Sequence, residues 1–198
     1  MKALKRSRNF ELLKRVFDFV TALILAGIMA LPLIIIAFAV KLTSPGPAIY
    51  WSDRVGKNNR IFSMPKFRTM RIGAPDVATH LLQNVDNCLT PLGSFLRKTS
   101  LDELPQLWSV IIGDMSFVGP RPALFNQNDL IKLRTQKEIS KLPPGITGWA
   151  QINGRDDISI SVKVLYDEYY LKNRSFSFDL KILWNTIFKV IKKEGVTH

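Results

Sequence analysis

The sequence is poor in the residues that staple or metallate a small fold. Its 198 residues include one cysteine, Cys88, and two histidines, His80 and His198. A lone thiol excludes an intrachain disulfide, and with two distant imidazoles it offers no zinc cluster of the usual spacing. The bulk of the chain is therefore expected to face a reducing cytoplasm. Acidic residues are also scarce, with 16 Asp and Glu against 28 Lys and Arg, so the formal net charge is +12. That imbalance selects an anionic partner without choosing among nucleic acid, anionic lipid and phosphorylated small molecules. No Walker loop, dinucleotide fingerprint, internal repeat or low-complexity tract is present.

What the chain does have is a long apolar run. Phe19 to Val40 carries no charge, and about 20 such residues are what a bilayer-crossing helix needs. A signal peptide fits poorly, because the run exceeds a short apolar core and no small-residue cleavage site follows it. Both flanks are basic, with Lys2, Lys5, Arg6, Arg8, Lys14 and Arg15 before it and Lys41, Arg54, Lys57 and Arg60 after it. Each flank therefore asks for the cytoplasmic side. Pro32 removes a backbone donor mid-run and disfavours helical geometry at Leu31, so the spacing predicts a bend at Leu31 and Pro32 and a re-entrant helix. The alternative is a spanning helix with a proline kink. Lys14, Arg15 and Asp18 border the run and are expected as anchors at headgroup level. The expected division is a basic flank with a re-entrant membrane helix over 1–43 and a cytoplasmic catalytic domain over 44–198.

Beyond the turn cluster Ser44-Pro45-Gly46-Pro47, two short strands around Ala48 to Trp51 and Ile61 to Met64 flank Gly56 to Asn59, which predicts a β-hairpin. Asp76 to Asn87 reads as helical or loose. Helices are expected over Leu101–Ile112, Gln127–Ser140 and Val162–Lys172. A final basic amphipathic helix is expected with Asp179 as its cap. Its apolar residues Leu180, Leu183, Trp184, Ile187, Phe188 and Ile191 either lie on an anionic membrane surface or cover the core. The fold class is thus α+β and mainly helical, with a short β-hairpin and surface amphipathic helices.

Chemistry concentrates in Ser100-Leu101-Asp102-Glu103-Leu104-Pro105-Gln106. The plain reading is a capping box, Ser100 with Glu103 three residues on, although Pro105 argues that the helix starts later. Either way, a helix start favours ionised carboxylates. An ionised Asp can attack phosphorus, and a neighbouring Glu can hold a metal or move a proton. Adjacent carboxylates alone are weak evidence, but Lys66, Arg68, Arg97 and Arg121 form the cation set that recognises phosphates. Phosphoryl transfer needs positioning and charge neutralisation, usually with Mg2+. The Gly-rich stretch Gly145 to Arg155 adds one guanidinium, and is either a turn-rich structural loop or part of the site.

Six blocks carry a resemblance over nearly the whole chain: Lys-Arg-Val-Phe-Asp-Phe at 14 to 19, Ser-Pro-Gly-Pro at 44 to 47, Lys-Phe-Arg-Thr-Met at 66 to 70, Ser-Leu-Asp-Glu-Leu-Pro-Gln-Leu at 100 to 107, Gly-Asp-Met-Ser-Phe-Val-Gly-Pro-Arg-Pro at 113 to 122, and Gly-Ile-Thr-Gly-Trp-Ala-Gln-Ile-Asn-Gly-Arg at 145 to 155. Together they resemble the bacterial sugar transferases, the monotopic phosphoglycosyl transferases that begin glycoconjugate assembly. The resemblance implies a ping-pong reaction in which Asp102 attacks the sugar-linked phosphate of a UDP-sugar, releases UMP, and passes the phosphosugar to undecaprenyl phosphate. It implies Glu103 as partner, Mg2+ as cofactor held by Asp102 and Glu103, and Arg121 as a nucleotide contact. Lys66, Arg68, Arg97 and Arg155 are expected to contact phosphate. The size matches the minimal members of the family. Some members bend at Ser-Pro where this chain has Leu31-Pro32, so a serine hydroxyl is missing from the bend.

The implied location is the cytoplasmic face of the bacterial inner membrane, monotopic, against anionic lipid and without a nucleic-acid partner. The sugar and the pathway (O-antigen, capsule, exopolysaccharide or glycoprotein glycan) are not legible. The oligomeric state stays open, a homodimer included. The rival readings are a membrane-anchored nucleic-acid-binding protein, which would need no paired carboxylates, and a catalytically silent protein of the same fold. A re-entrant helix predicts that an N-terminal tag in spheroplasts stays unlabelled by a membrane-impermeant reagent added outside, whereas a simple span exposes it.

Overall fold

A computed structural model describes residues 2–74, 88–154 and 158–192, with side chains over 9–74, 88–154 and 158–189. The expected helical or loose segment Asp76–Asn87 lies outside the described residues, as does Arg155. The architecture is α+β and mainly helical. Helix α1 spans Lys2–Ile28 and α2 spans Ala30–Thr43, joined at Met29 with a bend of 63°. No single described helix is long and apolar enough to cross a membrane, but the bent pair passes that test together.

The break lies at Met29, two residues before the expected Leu31. Pro32 explains the displacement, because a proline ring crowds the carbonyl four residues earlier and leaves it without a donor. That carbonyl belongs to Ile28. The flanking bonds from Met29 to the Leu25 carbonyl and from Leu33 to the Met29 carbonyl survive, each at 2.8 Å.

The apolar run does not have one environment. Lys14, Asp18 and Ala22 repeat at a spacing of four and are buried, so they share one helix face. Leu12, Leu13, Val16, Phe19, Val20, Leu23 and Ile24 are exposed on the others. The inward polar residues are not headgroup anchors. Lys14 Nζ donates to Asp179 Oδ2 at 2.6 Å, and Arg15 donates to the carbonyls of Val110 and Ile111. Asp18 accepts from the Phe117 amide at 3.3 Å. A buried carboxylate or ammonium needs such partners, and the domain supplies them, which is why these side chains turn inward. The 165 residues between Lys14 and Asp179 kept that pairing out of reach of local sequence reading.

After the Ser44 to Pro47 turn, β1 (Ile49–Val55) and β2 (Ile61–Phe67) form the expected hairpin, longer than the sequence suggested. Tyr50 stands opposite Lys66, and Arg54 opposite Phe62. Helix α3 (Gly93–Lys98) leads to a 3-10 helix, Leu101–Gln106, and then α4, Leu107–Ile112. The single helix expected there is divided because Pro105 cannot donate. Strands β3 (Ser116–Val118) and β4 (Ala123–Leu124) follow. Helix α5 spans Asn128–Gln136 and ends earlier than expected, with a 3-10 turn at Ile139–Lys141 taking over after Glu138, whose φ of 60° breaks the helix.

Strand β5 (Gly145–Thr147) and α6 (Trp149–Asn153) occupy the Gly-rich stretch, which is therefore ordered secondary structure rather than a free loop. Helices α7 (Ile160–Asn173) and α8 (Phe176–Lys192) close the chain. In α8 the Phe178 amide bonds to the Ser175 hydroxyl at 3.2 Å, so Ser175 rather than Asp179 takes the capping position. Asp179 is inside the first turn and buried, receiving Lys14 and the Tyr170 hydroxyl. The apolar residues of α8 divide: Ile182 and Leu183 enter the core while Leu180, Trp184, Ile187 and Phe188 stay exposed.

The sheets are β2-β1-β4, antiparallel, and β3-β5, parallel. The main core gathers Ala22, Met64, Leu107, Val110, Met115, Phe117, Val118 and Ile182, so α1 is built into it. Gly145 has no room for a side chain: a Cβ there would lie 2.1 Å from the nitrogen of Gly119, just past β3, and 2.4 Å from the Thr147 oxygen of its own strand. Both neighbours are backbone. Gly145→Ala is expected to cost about 1–3 kcal/mol or more, read as a fall in thermal midpoint; an unchanged midpoint would mean that the backbone at Gly119 and Thr147 yields freely.

Candidate active site

Strand β2 and the Leu101–Gln106 helix bring the site together. Ser100 sits at φ 57°, ψ 16°, in the left-handed region that a serine rarely occupies. That conformation turns the chain out of α3. It also leaves Ser100 without a capping hydrogen bond, so the expected capping box does not form. The six-residue 3-10 helix has little dipole to offer, and the charges near the carboxylates come from side chains.

Glu103 Oε1 accepts from Lys66 Nζ and from Arg121 Nη2, each at 3.1 Å. Lys66 arrives on β2 and Arg121 on the loop between β3 and β4. Burial works against charge on Glu103, yet the ammonium and guanidinium outweigh it and hold the carboxyl well below its ordinary range. Burial in turn pushes the Lys66 ammonium below its ordinary value, against the pull of Glu103.

Asp102 is the opposite case. It is only 8% exposed, and among the described residues no hydrogen bond ends on its carboxylate. Burial raises its pKa from 3.8 to about 6, with Lys66, Arg97 and Arg121 opposing the rise and Glu103 adding to it. Two neighbouring carboxylates are thus driven apart. One is locked as an anion by two cations, and the other is an ionised but uncommitted carboxylate at neutral pH, the state a nucleophile or a metal ligand requires.

Arg97 faces this pair, and its Nε donates to Thr69 Oγ1 at 2.9 Å. Lys66, Arg97, Arg121, Asp102 and Glu103 are therefore brought together. Arg68 is not with them. It is buried under the Ser44 to Gly46 turn, donating to the Ser44 carbonyl at 3.0 Å and hydroxyl at 2.8 Å. Strand alternation alone would put Arg68 on the face of Lys66, and its amide still pairs with the Ala48 carbonyl at 2.9 Å; it is the two Ser44 acceptors at the end of α2 that take its guanidinium away. Arg155 lies outside the described residues.

In the sequence Arg54 stands out only as part of a basic flank. The register of β1 puts Tyr50, Ser52 and Arg54 opposite Lys66, Met64 and Phe62, so strand alternation was the signal that could have found it. Its charge acts on Lys66, and its Nη1 donates to the Pro122 carbonyl at 3.4 Å.

Among the described residues no group of three or more His, Cys, Asp and Glu could cage a metal. The Asp102–Glu103 pair suits a different arrangement. Mg2+ commonly takes one or two carboxylates and draws its other oxygens from phosphate and water, and an Asp102 carboxylate without a donor on it meets that requirement.

The pKa of Asp102 sets a stability prediction. Raised in the fold from 3.8 to about 6, it binds a proton more readily folded than unfolded, so its ionisation opposes folding, fully above pH 6 and not at all below pH 4. Asp102→Asn is expected to stabilise the chain at pH 8 by on the order of 1–3 kcal/mol, with the gain vanishing at pH 4; paired thermal melts at the two pH values measure it, and a loss of stability at pH 8 would contradict the assignment.

A family profile described as bacterial sugar transferase matches residues 9–193. The chain is 42% identical over 187 residues to a UDP-glucose:undecaprenyl-phosphate glucose-1-phosphate transferase of Escherichia coli K12, covering 90% of this chain and 40% of that protein. It is 35% identical over 193 residues to a UDP-N-acetylgalactosamine-undecaprenyl-phosphate N-acetylgalactosaminephosphotransferase of Aeromonas hydrophila, covering 94% of this chain and 45% of that one. It spans less than half the length of both. A sugar transferase of Bacillus subtilis named EpsL, described as uncharacterized, is 41% identical over 187 residues, with 93% of this chain and 90% of the relative covered.

Proposed function

The chain belongs to the bacterial sugar transferase family, and from that premise we propose that it transfers a sugar 1-phosphate from a UDP-sugar to undecaprenyl phosphate, releasing UMP. The observation that carries the reading is the contrast within the acidic pair: Glu103 bound by Lys66 and Arg121, Asp102 buried and uncommitted beside them.

In this reading a carboxylate oxygen of Asp102 attacks the phosphorus that bears the sugar. A bond from Asp102 to phosphorus forms as the bond to the UMP oxygen breaks, and UMP leaves with the electron pair. An oxygen of undecaprenyl phosphate then attacks the same phosphorus, and the Asp102 carboxylate is released. Lys66, Arg97 and Arg121 balance charge on the phosphate oxygens, the guanidiniums matching them two at a time. Arg155 joins them on the strength of its motif, while Arg68 holds the turn at Ser44. Mg2+, held by Asp102 and Glu103, supplies charge neutralisation on the pyrophosphate when bound. Glu103 keeps Lys66 and Arg121 in place around the nucleophile.

Residues 1–43 form the membrane unit and 44–198 the cytoplasmic catalytic domain, at the cytoplasmic face of the inner membrane. The 63° bend of α1 against α2 and the exposed apolar residues on both helices support re-entry over a straight span. Exposed Trp184 on α8, whose sequence carries Lys181 and Lys189, fits an anionic lipid surface. The names of two relatives differ in their sugar, glucose in one and N-acetylgalactosamine in the other, so a panel is required.

Detergent-purified protein given Mg2+, undecaprenyl phosphate and a panel of UDP-sugars is expected to release UMP with one or a few of them. Asp102→Asn is expected to lower the rate by at least about 10³-fold, since the nucleophile itself is lost. Folded protein that releases no UMP from any sugar would remove the reading, and an Asp102→Asn variant at full rate would remove the role of Asp102.

A further inference from the structure

The segment Pro120-Arg121-Pro122 delivers the Arg121 guanidinium to Glu103, yet prolines at two of its three positions leave it a single amide donor. Only its carbonyls can be tied down in numbers, and all three are. The Pro120 carbonyl accepts from the Gly145 amide at 2.9 Å, the Arg121 carbonyl from Arg134 Nη1 at 2.8 Å, and the Pro122 carbonyl from Arg54 Nη1 at 3.4 Å. Three separate elements, β5, α5 and β1, thus converge on three consecutive peptide groups.

The central tie is the one with the most structure behind it. Arg134 on α5 is 7% exposed and Asp167 on α7 is 2% exposed. Arg134 Nε and Nη2 both donate to Asp167 Oδ2, at 2.9 and 2.7 Å, which leaves Nη1 directed at the Arg121 carbonyl. The same two helices also bury Leu130 and Val164, which join Ala123 and Ile139 in an apolar cluster separate from the main core. Desolvating two charges there is costly, and well-packed apolar residues commonly serve stability as well or better. A bare ion pair is therefore a poor explanation of the arrangement. A guanidinium whose orientation is fixed by a carboxylate, and whose remaining donor holds the backbone of Arg121, is a better one.

We propose that Arg134 and Asp167 are positioning residues of the transferase: they act through the Arg121 backbone to hold its guanidinium on Glu103 and the phosphate, without touching the substrate. The inference rests on the transferase reading given above. Its consequence is a defect in the rate of chemistry that depends on Arg121 being present, because a displacement of about 1 Å at a group of this kind can cost on the order of 10²-fold.

Removing one partner alone would strand a buried charge and threaten folding. The test therefore uses the paired replacement Arg134→Met with Asp167→Leu, made in the wild-type chain and in Arg121→Ala, with radiolabelled sugar transfer and thermal midpoints measured on all four proteins. The expected result is a wild-type-like midpoint for the paired variant, with kcat lowered about 10- to 100-fold when Arg121 is present and less than about 3-fold when it is Ala. Conservative Arg134→Lys, which keeps the charge but loses the fork, is expected to recover little of the rate. Wild-type transfer with an unaffected paired variant, or with equal losses in both backgrounds, overturns the positioning role and leaves the transferase reading standing. Absence of transfer by the wild-type chain overturns the reading and the inference with it.

Discussion

Two cations on one oxygen of Glu103 set the terms for the rest of this molecule. Adjacent carboxylates repel, and burial penalises the charge on each. Lys66 and Arg121 resolve the conflict asymmetrically, satisfying Glu103 and leaving Asp102 close to its ionisation point near pH 6. Each cation has to be delivered by a rigid element, because a flexible side chain on a flexible loop would lose the entropy that makes such a contact worthwhile. Lys66 comes from a strand paired over seven residues with β1, and Arg121 from a segment with two fixed φ angles and three bound carbonyls.

The same polar logic ties the apolar N-terminal helix to that machinery. Lys14, Asp18 and Ala22 present one stripe of α1 to the domain, and Asp18 binds the backbone of β3 three residues before Pro120. Asp179 joins Lys14 on α1 to Tyr170 on α7, and the Tyr170 hydroxyl also donates to the Val118 carbonyl. A helix whose other faces are apolar and exposed is thereby fixed relative to the loop that carries Arg121. In the proposed function, that link sets the height of the carboxylate pair above the lipid from which the acceptor phosphate arrives.

Local chemistry wrote much of this into the sequence. The hairpin was legible from two strand-like runs around a Gly-Asn turn, the bent helix pair from Pro32 within a charge-free run, and the clustering of Lys66, Arg97 and Arg121 about Asp102 and Glu103 from their motifs. What failed did so for specific reasons. A capping box at Ser100 requires an extended residue there, and the chain adopts a left-handed one. Arg68 shares a motif with Lys66, but its guanidinium is taken by Ser44, an acceptor 24 residues away that only the fold brings near. Lys14, Asp18 and Asp179 looked like interface or capping residues, because their partners lie on elements that only the tertiary fold brings near. Arg134 and Asp167 carried no signal at all, since a surface helix would show the same residues.

In the proposed reaction Asp102, and not Glu103, supplies the oxygen that attacks phosphorus. Incubating the purified chain with its UDP-sugar in the absence of undecaprenyl phosphate, quenching with hydroxylamine and mapping the peptides by mass spectrometry tests it directly. A hydroxamate at Asp102 is expected in step with UMP release; a hydroxamate at Glu103, or none on a chain that releases UMP, would contradict a covalent Asp102 intermediate.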